Sequence, residues 1–144
     1  MLKPLAALAI VMCSIGVAQA KPAKPAFTGS DFSGVYDCIG IDDHEGEYKG
    51  TVTLQLVRAQ SFGTYGAYNF KLEVPGYGVY PGQAATHGRE MAIHFALTDP
   101  EMKDYGTGIA SFVKGKGGKW TFHKYYYEPE FKGGNFGVED CKHR

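Results

Sequence analysis

The sequence predicts an all-β protein: an eight-stranded antiparallel up-and-down barrel closed by one disulfide, with a two-sheet β-sandwich as the alternative. Three observations lead to this fold class. Segments in which apolar and polar residues alternate recur at short spacing, glycine- and proline-rich turns separate them, and helical periodicity is almost absent. Two cysteines also stand near the two ends of the strand-forming region, where a barrel has to close.

The clearest strand is segment 68–74, in which every second residue is apolar. Segments 51–56 and 91–97 repeat the same alternation. Because successive side chains of a strand point to opposite faces of the sheet, this pattern is typical of half-buried strands. The residues predicted to face inward are Val52, Leu54, Leu56, Tyr68, Phe70, Leu72, Val74, Met91, Ile93, Phe95 and Leu97.

Turn residues lie between these segments, for example Pro75-Gly76 and the lysine- and glycine-rich stretch 114–119. Glycine adopts the positive φ that tight turns need, and proline interrupts a hydrogen-bonded ladder. The predicted strands lie at about 32–40, 48–58, 66–74, 78–86, 90–98, 105–114, 119–128 and 135–142, with one helical turn within 99–104. Closure of such a meander leaves no open sheet edge.

The first twenty residues have the three parts of a secretory signal: Lys3, an apolar run over 5–17, and the cleavage site Ala18-Gln19-Ala20. A lipoprotein signal centred on Cys13 is disfavoured, because Met12 stands where a small residue is expected. We therefore expect a periplasmic or secreted protein that is not embedded in the membrane. The predicted organisation is a signal peptide over 1–20, a linker over 21–30 and a single β-barrel domain over 31–144.

Once the signal is removed, Cys38 and Cys141 remain, and in an oxidising compartment they are expected to form a disulfide. They lie on the predicted first and last strands, which are neighbours in a closed meander. Both are predicted towards the ends of their strands, whereas antiparallel pairing places the end of one strand beside the start of the other. Either the register is shifted, or the bridge holds a terminal extension across the barrel end.

The first predicted strand contains Gly34-Val35-Tyr36. Here the chain resembles the calycin group, which includes lipocalins and avidins and whose eight-stranded meander barrels often begin with a Gly-x-Trp turn. The resemblance implies an exported barrel that binds a small ligand. In this chain Tyr36 stands where those barrels have Trp. Avidins place several tryptophans around biotin, whereas this chain has only Trp120, so the resemblance does not extend to biotin or to any ligand residue.

Aromatic residues are abundant, with ten Tyr, nine Phe and one Trp, and tyrosine suits the rims of pockets and protein interfaces. We therefore expect a non-enzymatic binding protein that holds a small apolar or aromatic ligand. If their strand faces point inward, His94 and His123 would meet inside the barrel. The candidate ligand-binding residues are Tyr80, His94, His123, Tyr125 and Tyr127.

No catalytic residues are predicted, because no nucleophile elbow, phosphate-binding loop or zinc-protease helix is present in the sequence. Glu128 and Glu130 flank a proline, and paired carboxylates serve acid–base catalysis in glycosidases. Their closeness in sequence does not indicate that both side chains face the same substrate. The charge is balanced, with 15 basic and 15 acidic residues and no basic stripe, which argues against a nucleic-acid partner.

The loop over 42–47 concentrates carboxylates and one imidazole between the first two predicted strands. Two alternative functions follow from it. The loop could dock onto a basic envelope or host protein, as in a periplasmic inhibitor. It could instead bind a divalent metal, although no cofactor is required by the sequence. The candidate metal ligands are Asp42, Asp43, His44, Glu45 and Glu47.

Overall fold

A computed structural model describes residues 21–144, and the predicted signal peptide lies outside the described residues. The chain forms a closed antiparallel barrel in which every strand pairs with its neighbours in chain order and the last strand pairs with the first. The strands are β1 (Gly34–Asp42), β2 (Gly46–Leu56), β3 (Tyr65–Val74), β4 (Gly78–His87), β5 (Glu90–Ala96), β6 (Tyr105–Lys114), β7 (Trp120–Glu128) and β8 (Asn135–His143). The predicted up-and-down barrel is confirmed.

Short 3-10 turns replace some of the predicted strand ends. Arg58–Gln60 forms such a turn after β2, so β2 ends at Leu56 and not near residue 58. Pro100–Met102 is the helical turn predicted within 99–104, and the Asp99 side chain accepts a hydrogen bond from the backbone N–H of Glu101 at its start. The remaining 3-10 turns are Lys116–Gly118 and Phe131–Gly133. No helix in the described part of the chain is long and apolar enough to cross a membrane.

The predicted disulfide is present, and Cys38 and Cys141 are directly opposite each other in the β1–β8 ladder. The register is shifted, as one of the two alternatives required: Tyr36 faces His143 and Asp42 faces Gly137. β1 also runs over Gly34–Asp42, two residues later than predicted, so that Cys38 stands at its middle. Both side chains point into the barrel and are buried. The bond joins positions 103 residues apart, and a loop of that size is expected to stabilise the fold by about 4–5 kcal/mol.

The strand faces follow the predicted alternation. Val52, Leu54, Phe70, Met91 and Ile93 belong to one continuous hydrophobic core inside the barrel. The interior is nevertheless not uniform along the barrel axis, because its two ends are filled by different kinds of side chain.

One end, which we call the plugged end, is filled by aromatic rings. Phe32, from the segment that precedes β1, is completely buried and stacks on Phe112, with ring centroids 4.1 Å apart. Trp120 packs edge-on against the ring of Phe32, with ring centroids 4.9 Å apart. The backbone of Phe32 donates to the hydroxyl of Tyr68 and accepts from the hydroxyl of Tyr36, so the segment is anchored at both polar groups. This segment closes the barrel at this end.

The other end, which we call the open end, is surrounded by four connections: 43–45, 75–77, 97–104 and 129–134. Here the buried charged and amide side chains come from β1, β7, β8 and the connection that leads into β6. These buried polar residues are Asp42, Asp104, Lys124, Glu128, Asn135 and Glu139. The chemistry of the interior is therefore concentrated at the open end.

Candidate functional site

A cavity of about 50 Å³ lies inside the open end of the barrel, and we call it the acidic cavity. Its lining combines apolar side chains with tyrosines and charged groups, among them five carboxyl groups and one ammonium. The lining residues are Asp42, Glu45, Tyr48, Leu72, Val74, Tyr77, Tyr80, Phe95, Asp104, Lys124, Tyr126, Glu128, Phe131 and Glu139.

The floor of the cavity is an ion pair between Lys124 on β7 and Glu139 on β8. Lys124 Nζ lies 2.6 Å from Glu139 Oε2, and both side chains are at most 1% exposed. The hydroxyl of Tyr48 donates to the other oxygen of Glu139. The ammonium also lies over the rings of Phe70, Phe95 and Tyr126, at 5.1–5.5 Å from their centroids. Neither charge is accessible to solvent, so each depends on the other for compensation.

Asp42 occupies the wall of the cavity at the end of β1, and its carboxylate is saturated. Oδ2 accepts hydrogen bonds from the Tyr126 hydroxyl at 2.7 Å and from Asn135 Nδ2 at 2.8 Å. Oδ1 accepts from the backbone N–H groups of His44 and Glu45, both at 2.9 Å. Burial raises the pKa of Asp42, but these hydrogen bonds outweigh it and hold the pKa below its usual value. Asp42 is therefore an ionised structural anchor.

Asp104 and Glu128 form a second carboxyl pair in the cavity. The Tyr80 hydroxyl donates to Asp104 Oδ2 at 2.9 Å, and Asn135 Nδ2 donates to Glu128 Oε2. Burial raises the pKa of both carboxyls, and the proximity of Asp104 helps to bring the pKa of Glu128 to about 8. Asp104 Oδ1 is buried and has no hydrogen-bond partner among the described residues. With its pKa at about 8, Glu128 holds its proton at neutral pH.

Of the predicted ligand-binding residues, only Tyr80 lines the cavity. His94, His123, Tyr125 and Tyr127 lie on the outer surface of the barrel. The expectation that the two histidines meet inside is wrong, because Ile93 and Phe95, and likewise Phe122 and Lys124, take the inward positions beside them. His123 Nδ1 instead lies 2.9 Å from Asp140 Oδ1 on the surface.

Tyr125 belongs to an outward-facing apolar row that crosses four strands. Ile41, Val138, Tyr125 and Ile109 are consecutive cross-strand partners on β1, β8, β7 and β6, and we call them the outer apolar stripe. Ile41 is 59% exposed and Ile109 is 64% exposed. Contiguous exposed apolar side chains often mark a contact surface.

The five predicted metal ligands are divided by the fold. Asp42 faces the barrel interior, Glu45 pairs with Lys132, and the ring of His44 hydrogen-bonds the carbonyl of Gly134. Asp43 and Glu47 are exposed. Over residues 21–144, the group of three potential ligand atoms that lie within 4.8 Å of one another comes from Cys38, Glu139 and Cys141, whose sulfurs are bonded to each other.

The sequence reasoning missed Lys124, Glu139 and Asp104. Lys124 stands between Phe122 and Tyr126 on one face of β7, so the alternation itself placed a charge inside the barrel. Glu139 shows the same pattern on β8, because it stands two residues before the buried Cys141 and therefore on the same face. Asp104 lies outside the strands, and no periodic pattern indicates its direction.

Fold and site together define the class: a closed eight-stranded antiparallel barrel, compatible with calycin architecture, with a small acidic cavity at one end. Comparison with protein-family models, with curated proteins and with solved structures found no match to the chain.

Proposed function

We propose that this protein is an exported, non-enzymatic binding protein of the calycin type that takes a small polar ligand into the acidic cavity. The observation that carries the proposal is the contrast between the two barrel ends. Aromatic side chains of the chain itself fill the plugged end, whereas the open end leads to a cavity with an unpaired carboxyl oxygen on Asp104.

The size of the cavity decides between ligand classes. Pockets that enclose drug-sized ligands usually measure about 300–1,000 Å³. A cavity of about 50 Å³ accepts a very small molecule or only the head group of a larger one. Its buried carboxyls also disfavour an apolar occupant, because they would lose hydration without gaining hydrogen bonds. The ligand class is therefore revised from apolar or aromatic to polar.

The proposal includes no catalytic step, and the cavity lining contains no Ser, Thr, Cys or His side chain. Glu128 and Glu130 do not act together. Glu128 faces the cavity, whereas Glu130 lies on the surface, where Tyr105 and Lys103 bind it. The raised pKa of Glu128 is explained by its burial beside Asp104.

A matched pair of variants tests the location of the site. Val74→Trp places a large ring at a position that lines the cavity, whereas Val79→Trp adds the same ring on the outer surface of β4. A panel of small amines, acids, alcohols and apolar dyes is screened by thermal shift on all three proteins. Ligands that stabilise the wild type and Val79→Trp but not Val74→Trp support the proposal. Failure of the whole panel, or binding that survives in Val74→Trp, would contradict it.

Docking onto an envelope or host protein is the second candidate function, and the outer apolar stripe supports it better than the acidic loop does. In that loop Asp42 is buried and Glu45 is paired with Lys132, which leaves less free charge for a basic partner. Ile109→Lys on the stripe and Asp43→Asn on the loop separate the two surfaces. Loss of a partner in pull-down only with Ile109→Lys would assign the contact to the stripe, and the reverse result to the loop.

A further inference from the structure

Charge compensation within the acidic cavity leaves one pair of groups unbalanced. Glu139 is paired with Lys124, and Glu45 with Lys132. Asp42 is saturated by four hydrogen bonds, as described above. Asp104 and Glu128 remain, and among the described residues no cationic side chain forms an ion pair with either of them.

We infer that the cavity binds a protonated primary amine, whose ammonium group is held by the carboxyl groups of Asp104 and Glu128. This inference rests on the proposed function and specifies its ligand class. Asp104 is only 7% exposed and lines the cavity, and its Oδ1 has no hydrogen-bond partner among the described residues. An ammonium group supplies three N–H donors and one positive charge.

The geometry favours an organic cation over a metal ion. Calcium binds oxygen ligands at about 2.3–2.6 Å, so the oxygens around one ion lie within about 5 Å of each other. In the described part of the chain, no three carboxylates of the cavity bring an oxygen each within 4.8 Å of one another. An ammonium group is larger than a metal ion and can bind two carboxyls through separate N–H groups.

The barrel already contains an example of the same chemistry. The ammonium of Lys124 binds a carboxylate, Glu139, and lies over three aromatic rings. The neighbouring part of the cavity repeats this combination, with two carboxyls beside Tyr80 and Phe95. Cations that lie over aromatic faces in desolvated sites gain a further attraction from the ring quadrupole.

Cavity size and mouth chemistry define the rest of the ligand. About 50 Å³ accommodates an ammonium group with a short piece of its chain, so a longer chain has to leave through the mouth. Tyr77 and Phe131 line that side of the cavity and offer apolar contacts to methylene groups. A free alkylamine and the lysine side chain of a partner protein both have this chemistry, and the experiment distinguishes them.

Loss of the Glu128 proton when the ammonium group enters makes binding dependent on pH, because the pKa of Glu128 is about 8 in the free protein. One proton leaves the carboxyl pair for solvent when the ammonium enters, so the charge in the site is unchanged. Affinity for the amine is therefore expected to increase as the pH rises towards 8. The groups that face or border the pair from the surrounding elements are Asp42, Glu45, Tyr48, Tyr80, Lys124, Tyr126, Asn135 and Glu139.

Isothermal titration of the protein with n-pentylamine, and with 1-pentanol as the uncharged analogue, tests the inference. Pentylamine is expected to bind and pentanol is not. Titrations at pH 7 in buffers of different ionisation enthalpy should report the release of close to one proton. A peptide with a single lysine, compared with its acetylated form, tests the second source of the ammonium group. Binding of the peptide but not of pentylamine would assign the site to a partner protein's lysine.

Variants of the pair complete the test. Asp104→Asn and Glu128→Gln are each expected to weaken amine binding about 10- to 100-fold, the range for a hydrogen bond to a charged group. Glu130→Gln, a nearby exposed carboxylate, is the control and should leave binding unchanged. If either cavity variant unfolds, proton release by the wild type still decides the question. Equal binding of pentanol, or amine binding without proton release, would overturn the ammonium assignment.

Different results would contradict the ammonium assignment and the proposed binding function. If polar compounds other than amines bind and Val74→Trp abolishes their binding, the cavity is a ligand site and only the ammonium assignment is wrong. If neither pentylamine, the lysine peptide nor any compound of the wider panel binds, the proposed binding function itself is wrong.

Discussion

Removal of one partner of the buried Lys124–Glu139 pair is expected to destabilise the barrel strongly. Glu139→Gln preserves the shape of the side chain and an oxygen that can accept from Tyr48, but it leaves the ammonium without a counter-charge at a site that is at most 1% exposed. The two charges, with N and O 2.6 Å apart, attract each other by about 6 kcal/mol at an effective dielectric constant of about 20.

Measured losses on breaking buried ion pairs are about 3–5 kcal/mol, and this is the loss expected for Glu139→Gln. The double variant Lys124→Met/Glu139→Gln removes both charges and should recover part of that free energy, because no uncompensated charge remains buried. Urea denaturation of wild type, single and double variants measures the three unfolding free energies. A loss below about 1 kcal/mol in the single variant, or no recovery in the double variant, would refute the reasoning.

Three further predictions concern the disulfide, the carboxyl pair and the plugged end. Replacement of both cysteines by alanine should lower the unfolding free energy by about 4–5 kcal/mol in urea denaturation, and an unchanged midpoint would contradict the entropic argument. Because the pKa of Glu128 is about 8 in the folded state and its ordinary value is 4.5, the folded protein holds more protons between these values. Stability should therefore fall as the pH rises from 4.5 to 8, and calorimetric melting of Glu128→Gln should lack this slope. Phe32→Ala should lower the free energy of unfolding by about 3–5 kcal/mol, because it leaves a cavity between Phe112 and Trp120. Phe136→Ala, at an exposed position, is the control. An equal loss in both variants would show that Phe32 does not stabilise the barrel.

The strand pattern and its inward faces could be read from the sequence because alternation is a local property of the chain. The positions predicted to face inward on β2, β3 and β5 do so, and the order of the strands follows from short connections between neighbours. The predicted ends of the strands were less accurate. β1 begins at Gly34 and not near residue 32, and this difference, together with the staggered β1–β8 register, brings Cys38 opposite Cys141.

The sequence by itself determined the fold class, the number of strands and the pairing of the two cysteines, since these depend on period-two patterning and on chain order. Only the tertiary structure decided what the interior does. Closure of the barrel brought Asp104, Glu128 and Tyr80, which are far apart in sequence, to one cavity. The physical reason is that a strand pattern specifies which side of the sheet a residue occupies. Its neighbours on that side depend on register and closure.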